Sequence, residues 1–224
     1  MACGDDAVLG RGLCGACFIE AHFLSGGCCD TCGQPISGGA HSAEICEECR
    51  RYPQPWGRGA AVLAYTGTGR RMALAFKHGD RVDMAPQLAA WMARSGAHLL
   101  AEAGLIAPIP LHWRRLMKRR YNQSAELVRN IATTPKTQAV FNLLIRPQPT
   151  PSQDGLGRAA RRENLRGKIA VNPKHRALIK GKNIVLVDDV LTTGATLAAA
   201  TEACFAAGAA AVNVLVLARV APPD

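Results

Sequence analysis

Residues 183–196 read Asn-Ile-Val-Leu-Val-Asp-Asp-Val-Leu-Thr-Thr-Gly-Ala-Thr. Ile184 to Val187 is an unbroken aliphatic run, the pattern of a strand buried on both faces of a parallel sheet. The run is expected to stop at Asp188-Asp189. Thr192, Thr193 and Gly194 then offer turn and N-cap chemistry, and the alanine-rich stretch from Ala195 to Ala207 favours a helix. That order sets backbone N–H groups at a helix N-terminus beside two carboxylates at a strand's end. The amides and the helix dipole suit a phosphate. The carboxylates suit ribose hydroxyls, directly or through Mg²⁺. The stretch predicts a site for a phosphorylated sugar; the blander alternative is a solvated acidic turn before a capped helix.

Working outward, 224 residues leave room for one α/β domain with a proper core and a small appendage. No apolar run approaches the roughly 20 residues that span a bilayer, and the first residues lack the basic and apolar regions of a signal peptide. No membrane insertion and a cytoplasmic location are expected. Cysteines stay reduced there, so Cys-x-x-Cys pairs point to metal rather than disulfides. The net charge of +10 is uneven: residues 1–58 carry −3 and residues 59–224 carry +13. A polyanionic sugar phosphate, nucleic acid or plain solubility would each account for that balance.

Eight of the nine cysteines precede residue 50. Cys29-x2-Cys32 and Cys46-x2-Cys49 are separated by thirteen residues, the spacing of a zinc ribbon, in which two knuckles bring four thiolates around Zn²⁺. Reactive thiols are the alternative. Cys14-x2-Cys17 is a second half-site, but its partner half reads Cys3-x2-Asp6. A second zinc held by Cys3, Asp6, Cys14 and Cys17 is one arrangement, with His22, His41 or Cys28 as other ligands. So small a segment needs zinc as its main stabiliser, and filled ligand sets point to a structural site. Residues 1–58 are therefore read as a zinc-ribbon-like module, joined through Arg51-Tyr-Pro-Gln-Pro-Trp-Gly57 to a larger domain at 59–224.

In that domain a strand is expected at Ala60–Tyr65, helices at Thr68–Lys77 and Val82–Ala103, and a strand at Leu105–Leu111. The segment that follows holds five cations in seven residues, Arg114, Arg115, Lys118, Arg119 and Arg120. It reads as a pyrophosphate loop, a solvated face or an aromatic-flanked patch for single-stranded nucleic acid. A helix near Ser124–Ala132 and strands at Ala139–Ile145 and Ile169–Val171 come next. Between them the arginine-rich stretch 153–167, with Arg158, Arg161, Arg162 and Arg166, suits either a cationic flap over the substrate or a surface helix. A last strand is expected at Ala211–Leu217. Alternating strands and helices predict a mainly parallel α/β sheet with its ligand at the carboxyl edge.

The 183–196 stretch resembles the phosphoribosyl-pyrophosphate (PRPP) loop of type I phosphoribosyltransferases. Over nearly its full length the chain resembles the ComF family, a zinc-ribbon N-terminus joined to such a domain. The shared pieces fall in the family's order: the Cys-x-x-Cys pairs, Phe76-Lys77-His78-Gly79, Pro108-Ile-Pro-Leu111, Arg120-Tyr121-Asn122-Gln123, Gln153 with Arg161 and Asn164, and Val187 to Gly194. Asp6 departs from the pattern, standing where the first ribbon's second cysteine belongs. The resemblance implies that Asp188 and Asp189 hold the ribose hydroxyls, as catalytic and PRPP-binding residues. It implies that Thr192, Thr193, Gly194, Ala195 and Thr196 hold the 5′-phosphate, that the loop after Leu111 holds pyrophosphate, and that Mg²⁺ accompanies PRPP. The chemistry implied is displacement of pyrophosphate at the anomeric carbon. Transferases acting on 6-oxopurines usually carry Asp where this chain has Thr192, which disfavours that acceptor. A module of 58 residues is also too short for the amidohydrolase half of an amidophosphoribosyltransferase. The family is associated with DNA uptake in natural transformation, which implies a DNA-processing context. Two functional classes follow: a PRPP-dependent transferase, and a non-catalytic protein on the same fold that binds single-stranded DNA or a DNA-processing partner.

Overall fold

A computed structural model describes residues 12–36, 44–78, 81–111, 121–131, 135–147 and 157–221. Helices α1 (Gly15–Glu20) and α2 (Glu47–Arg51) precede β1 (Gly59–Ala64), α3 (Gly67–His78), α4 (Ala85–Ser95), α5 (Ala97–Ala101) and β2 (Leu105–Pro108). Then come α6 (Gln123–Asn130), β3 (Gln138–Ala139), β4 (Leu144–Ile145), α7 (Arg158–Leu165), β5 (Ala170–Val171) and α8 (Arg176–Ile179). The chain ends in β6 (Asn183–Leu191), α9 (Ala195–Ala206) and β7 (Ala211–Arg219).

Five strands form one sheet in the order β1-β7-β6-β2-β3, every neighbouring pair parallel. Their aliphatic residues alternate between two cores. Val62, Ile106, Val185, Val187, Leu215 and Leu217 pack with α3, α4, α5 and α6. Ala61, Leu105, Ile184, Leu186, Val214 and Val216 face α9 and the N-terminal cysteines. From β2 the chain moves outward to β3, whereas from β6 it moves the other way to β7. The adjacent β2 and β6 thus form a topological switch point, and the crevice beyond their carboxyl ends is where an open α/β sheet takes its ligand.

Three elements differ from expectation, each for a local reason. Strand β6 runs through the acidic pair to Leu191 because β7 stays in register with it as far as Arg219. The buried Arg219 donates to the carbonyls of Leu191 at 3.2 Å and Thr192 at 2.7 Å. The helix expected over 82–103 breaks at Gly96, where an added Cβ would lie 2.7 Å from Leu215 of β7. The strand expected over 139–145 divides into β3 and β4 at Asn142. There Asn172 donates to the Asn142 carbonyl at 3.1 Å and His175 pairs with its side chain at 2.8 Å, drawing the chain off the main sheet.

The N-terminal residues are built onto this sheet. Leu24 N donates to Val62 O at 2.8 Å and Ala64 N to His22 O at 3.0 Å, so residues 22–24 run along the outer edge of β1. The Cys29–Cys32 knuckle closes with Gly33 N donating to Cys29 O at 2.8 Å. Gly33 has φ +71°, and a Cβ there would meet Ala61 N at 2.6 Å, so the knuckle rests directly on β1.

Candidate functional site

The acidic pair stands at the carboxyl end of β6, at the switch point. Asp188 Oδ1 accepts from Ser124 Oγ at 3.0 Å and from Asp189 N at 2.9 Å. Asp189 Oδ1 accepts from Val190 N at 2.8 Å, and Lys77 Nζ lies 3.6 Å from Asp189 Oδ2. Two other segments are braced onto the pair. Tyr121 donates its hydroxyl to Phe76 O at 2.6 Å, and Gln123 donates to Lys77 O at 3.1 Å. Asn122 caps α6 by accepting from Ser124 N at 3.0 Å and donates to Ile109 O, also at 3.0 Å. Three stretches far apart in the chain, 76–77, 121–124 and 188–189, therefore meet at one place. Sequence reasoning gave Lys77 and Ser124 no role. Only the motif order hinted at them, because their convergence depends on how α3 and α6 pack on the sheet.

Burial, and next the charge of Asp189, push the Asp188 carboxyl up to about 7. The Asp189 amide, the Ser124 hydroxyl and Lys77 oppose that shift. A carboxyl raised on folding contributes stability that is fully present below its unfolded value and lost as pH rises through the folded one. The ligand-free protein is therefore expected to melt lower at pH 8 than at pH 5.5, and Asp188→Asn should flatten that slope. Thermal melts across the interval check it; an unchanged slope in Asp188→Asn would remove Asp188 as the source.

The loop after β6 turns into α9 at Gly194, which has φ +81° as N-cap, and Ala198 N donates to Gly194 O at 2.8 Å. The amides of Ala195, Thr196 and Leu197 come before Ala198 N, the first that donates within the helix, as at any helix N-terminus. Thr192 is exposed, Thr193 and Thr196 are half-buried, and Ala195 is buried. Arg114, Arg115, Arg119 and Arg120 lie outside the described residues, and so does the side chain of Arg161. Arg162 sits on α7 and Arg166 is its C-cap, their solvated side chains paired to Glu202 at 3.5 Å and Glu163 at 3.9 Å respectively. An open cleft of about 550 Å³ separates α7 from α9. Arg162 thus belongs to a surface helix and Arg166 to its C-terminal cap.

The sulfurs of Cys29, Cys32, Cys46 and Cys49 lie within 4.8 Å of one another, three of the residues buried and Cys46 half-buried. Cys32 Sγ and Cys46 Sγ are 3.7 Å apart. A tetrahedron with Zn–S bonds of about 2.3 Å has edges of about 3.8 Å, so the four thiols fit a zinc ion. Hydrogen bonds from the Cys32 and Cys49 thiols pull the Cys29 thiol down. The bond to Cys29 pushes Cys32 up to about 11, and Cys49 is raised first by its bonds to Cys29 and Cys32. A divalent cation is what would allow four thiols set so close together to ionise. Among the described residues Cys14 and Cys17 are not joined by a third ligand in a group of this kind; Cys3 lies outside them.

Residues 115–222 match the phosphoribosyl transferase domain family. Over 213 residues the chain is 29% identical to the DNA utilization protein YhgH of Escherichia coli K12, covering 93% of this chain and 90% of that protein. It is also 26% identical over 199 residues to competence protein F of Haemophilus influenzae, covering 87% and 84%. It is thus a homologue of these proteins that carries a phosphoribosyl transferase domain, and the resemblance to the ComF family is borne out. A solved structure of glutamine PRPP amidotransferase from Bacillus subtilis aligns at TM-score 0.40 and 20% identity, over 63% of this chain and 30% of that one. No helix among the described residues is long and apolar enough to cross a membrane.

Proposed function

We propose that the crevice at the ends of β2 and β6 binds PRPP with Mg²⁺ and that the protein is a phosphoribosyltransferase of the DNA-utilization and competence group. The observation that carries this reading is the braced acidic pair at the switch point, followed within a few residues by the Gly194-capped start of α9. Asp188 and Asp189 address the ribose hydroxyls, and residues 192–196 hold the 5′-phosphate. Arg114, Arg115, Arg119 and Arg120, with Arg161, answer the diphosphate. In transfer, the acceptor's lone pair forms the new bond at the anomeric carbon as the bond to the diphosphate oxygen breaks, and the acceptor gives up its proton. Asp188 and Asp189 are the residues that would hold Mg²⁺ with the substrate, and the ion would supply charge stabilisation to the leaving diphosphate. Lys77, 3.6 Å from Asp189, balances part of the charge of the acidic pair. A second reading draws on the +13 charge of residues 59–224, which suits single-stranded DNA; the names of the relatives, a DNA utilization protein and a competence protein, agree with either reading.

PRPP with Mg²⁺ is expected to raise the melting temperature by several degrees, since ligand at one hundred times its Kd contributes about 2.7 kcal/mol. Ribose 5-phosphate should bind more weakly, because it leaves the diphosphate loop empty. Asp189 is 8% exposed, so Asp189→Asn is a cleaner probe than alanine, and it should abolish the shift. Wild-type protein showing neither thermal shift nor calorimetric heat with millimolar PRPP would overturn the reading in favour of the DNA-binding one.

A further inference from the structure

The wall behind the phosphate loop comes from the N-terminal segment. Trp56 is 4% exposed and shares a core with Cys29, Cys32, Cys49, Leu191 and Leu197. Its indole Nε1 donates to the carbonyl of Thr31 at 2.7 Å, and Thr31 lies inside the Cys29–Cys32 knuckle. The far edge of the ring reaches the loop: a Cβ on Gly194 would stand 2.7 Å from Trp56 Cη2 and 3.1 Å from Gln54 Oε1. The ring thus fills the space a side chain at 194 would take. From β7, Arg219 holds the Leu191 and Thr192 carbonyls. Two anchors therefore fix the turn into α9, and one of them hangs from the cysteine cluster.

We propose that Trp56 is a positioning residue for the 192–196 loop, transmitting the order of the Cys29–Cys32 knuckle to the amides at the start of α9. The inference rests on the reading of that loop as a phosphate binder for what the loop holds, though not for how firmly the loop is held. The knuckle fixes Thr31 O, Thr31 O fixes the tilt of the indole, and the indole edge fixes Gly194 at its positive φ. A knuckle without its metal loses the first of these restraints, so the phosphate end of the crevice loosens although none of its own residues has changed.

Trp56→Phe in the full chain keeps an aromatic ring but deletes the bond to Thr31. Amide hydrogen exchange at residues 194–197 is expected to rise about fivefold to tenfold, matching the loss of one buried hydrogen bond, with zinc content unchanged. Affinities for ribose 5-phosphate and for PRPP should fall by the same factor, because both present the 5′-phosphate; a diphosphate-side residue would affect PRPP alone. Simple destabilisation would lower the melting temperature and leave affinity at 25 °C intact. Gln54→Ala, at a half-buried position, removes the other side chain that borders the space over Gly194 and should give a smaller change of the same kind even if Trp56→Phe folds poorly. Wild-type exchange at 194–197 in both variants would overturn the proposal. Absence of PRPP binding in the wild type would instead strike the functional reading, while the exchange measurement still decides the role of Trp56.

Discussion

Cys32→Ser protein is expected to lose its zinc and to melt at least 10–20 °C below the wild type, a loss of roughly 5 kcal/mol for a chain of this size. Cys29, Cys32 and Cys49 are at most 5% exposed and belong to the same core as Ala61, Ile184 and Val214. Losing the metal leaves thiols and a serine hydroxyl without their partners inside the core of the larger domain. Binding of structural zinc is worth roughly 10–16 kcal/mol in small zinc modules, against a total stability of about 5–15 kcal/mol for a typical domain. The effect should therefore spread through the sheet rather than stop at a detached module. Cys204 is fully buried in α9 and stands outside the cluster, so Cys204→Ser should keep its zinc. Metal analysis beside thermal melts tests both. A metal-free wild type with an ordered, protease-resistant N-terminus would refute the assignment.

Gly194→Val is expected to lower stability by about 3–5 kcal/mol before any ligand is added. Read from the sequence, Gly194 is a turn residue in a polar loop with no sign of being packed. The structure changes that expectation. A β-branched residue at φ +81° costs about 1–2 kcal/mol in backbone strain, and its Cβ would collide with the Trp56 ring at 2.7 Å. Displacing a buried indole accounts for the rest. Gly194→Ala should fall between the two, and melts of the three ligand-free proteins would show the series. A valine variant melting with the wild type would mean that the loop is not seated on Trp56.

What could be read from the sequence was local, and what could not was long-range. The aliphatic run at 184–187 and the Cys-x-x-Cys spacing are patterns within a few dozen residues, and both appear as expected, one as a central strand and the other as a cluster of sulfurs. The acidic pair was visible as a pair. Its setting was not, since Ser124 and Lys77 approach it from 64 and 112 residues away. Gly96 and Asn142 divided elements that looked continuous because each answers a contact in another part of the sheet, Leu215 in one case and the 172–175 turn in the other. The same holds for Trp56: two prolines and a glycine around it read as a linker, yet its ring is enclosed between the knuckle and the turn into α9.

The hydrogen bonds from residues 22–24 to β1 bear on how the protein can be divided. A chain started at residue 59 would keep every strand of the main sheet but leave the outer side of β1 with bare donors and acceptors beside an apolar surface. An open border of that kind is a template on which a second molecule can add a strand, the first step of many aggregation pathways. The N-terminal segment thus covers an edge of the sheet, and cutting at the apparent linker would yield a sticky fragment rather than a self-contained domain.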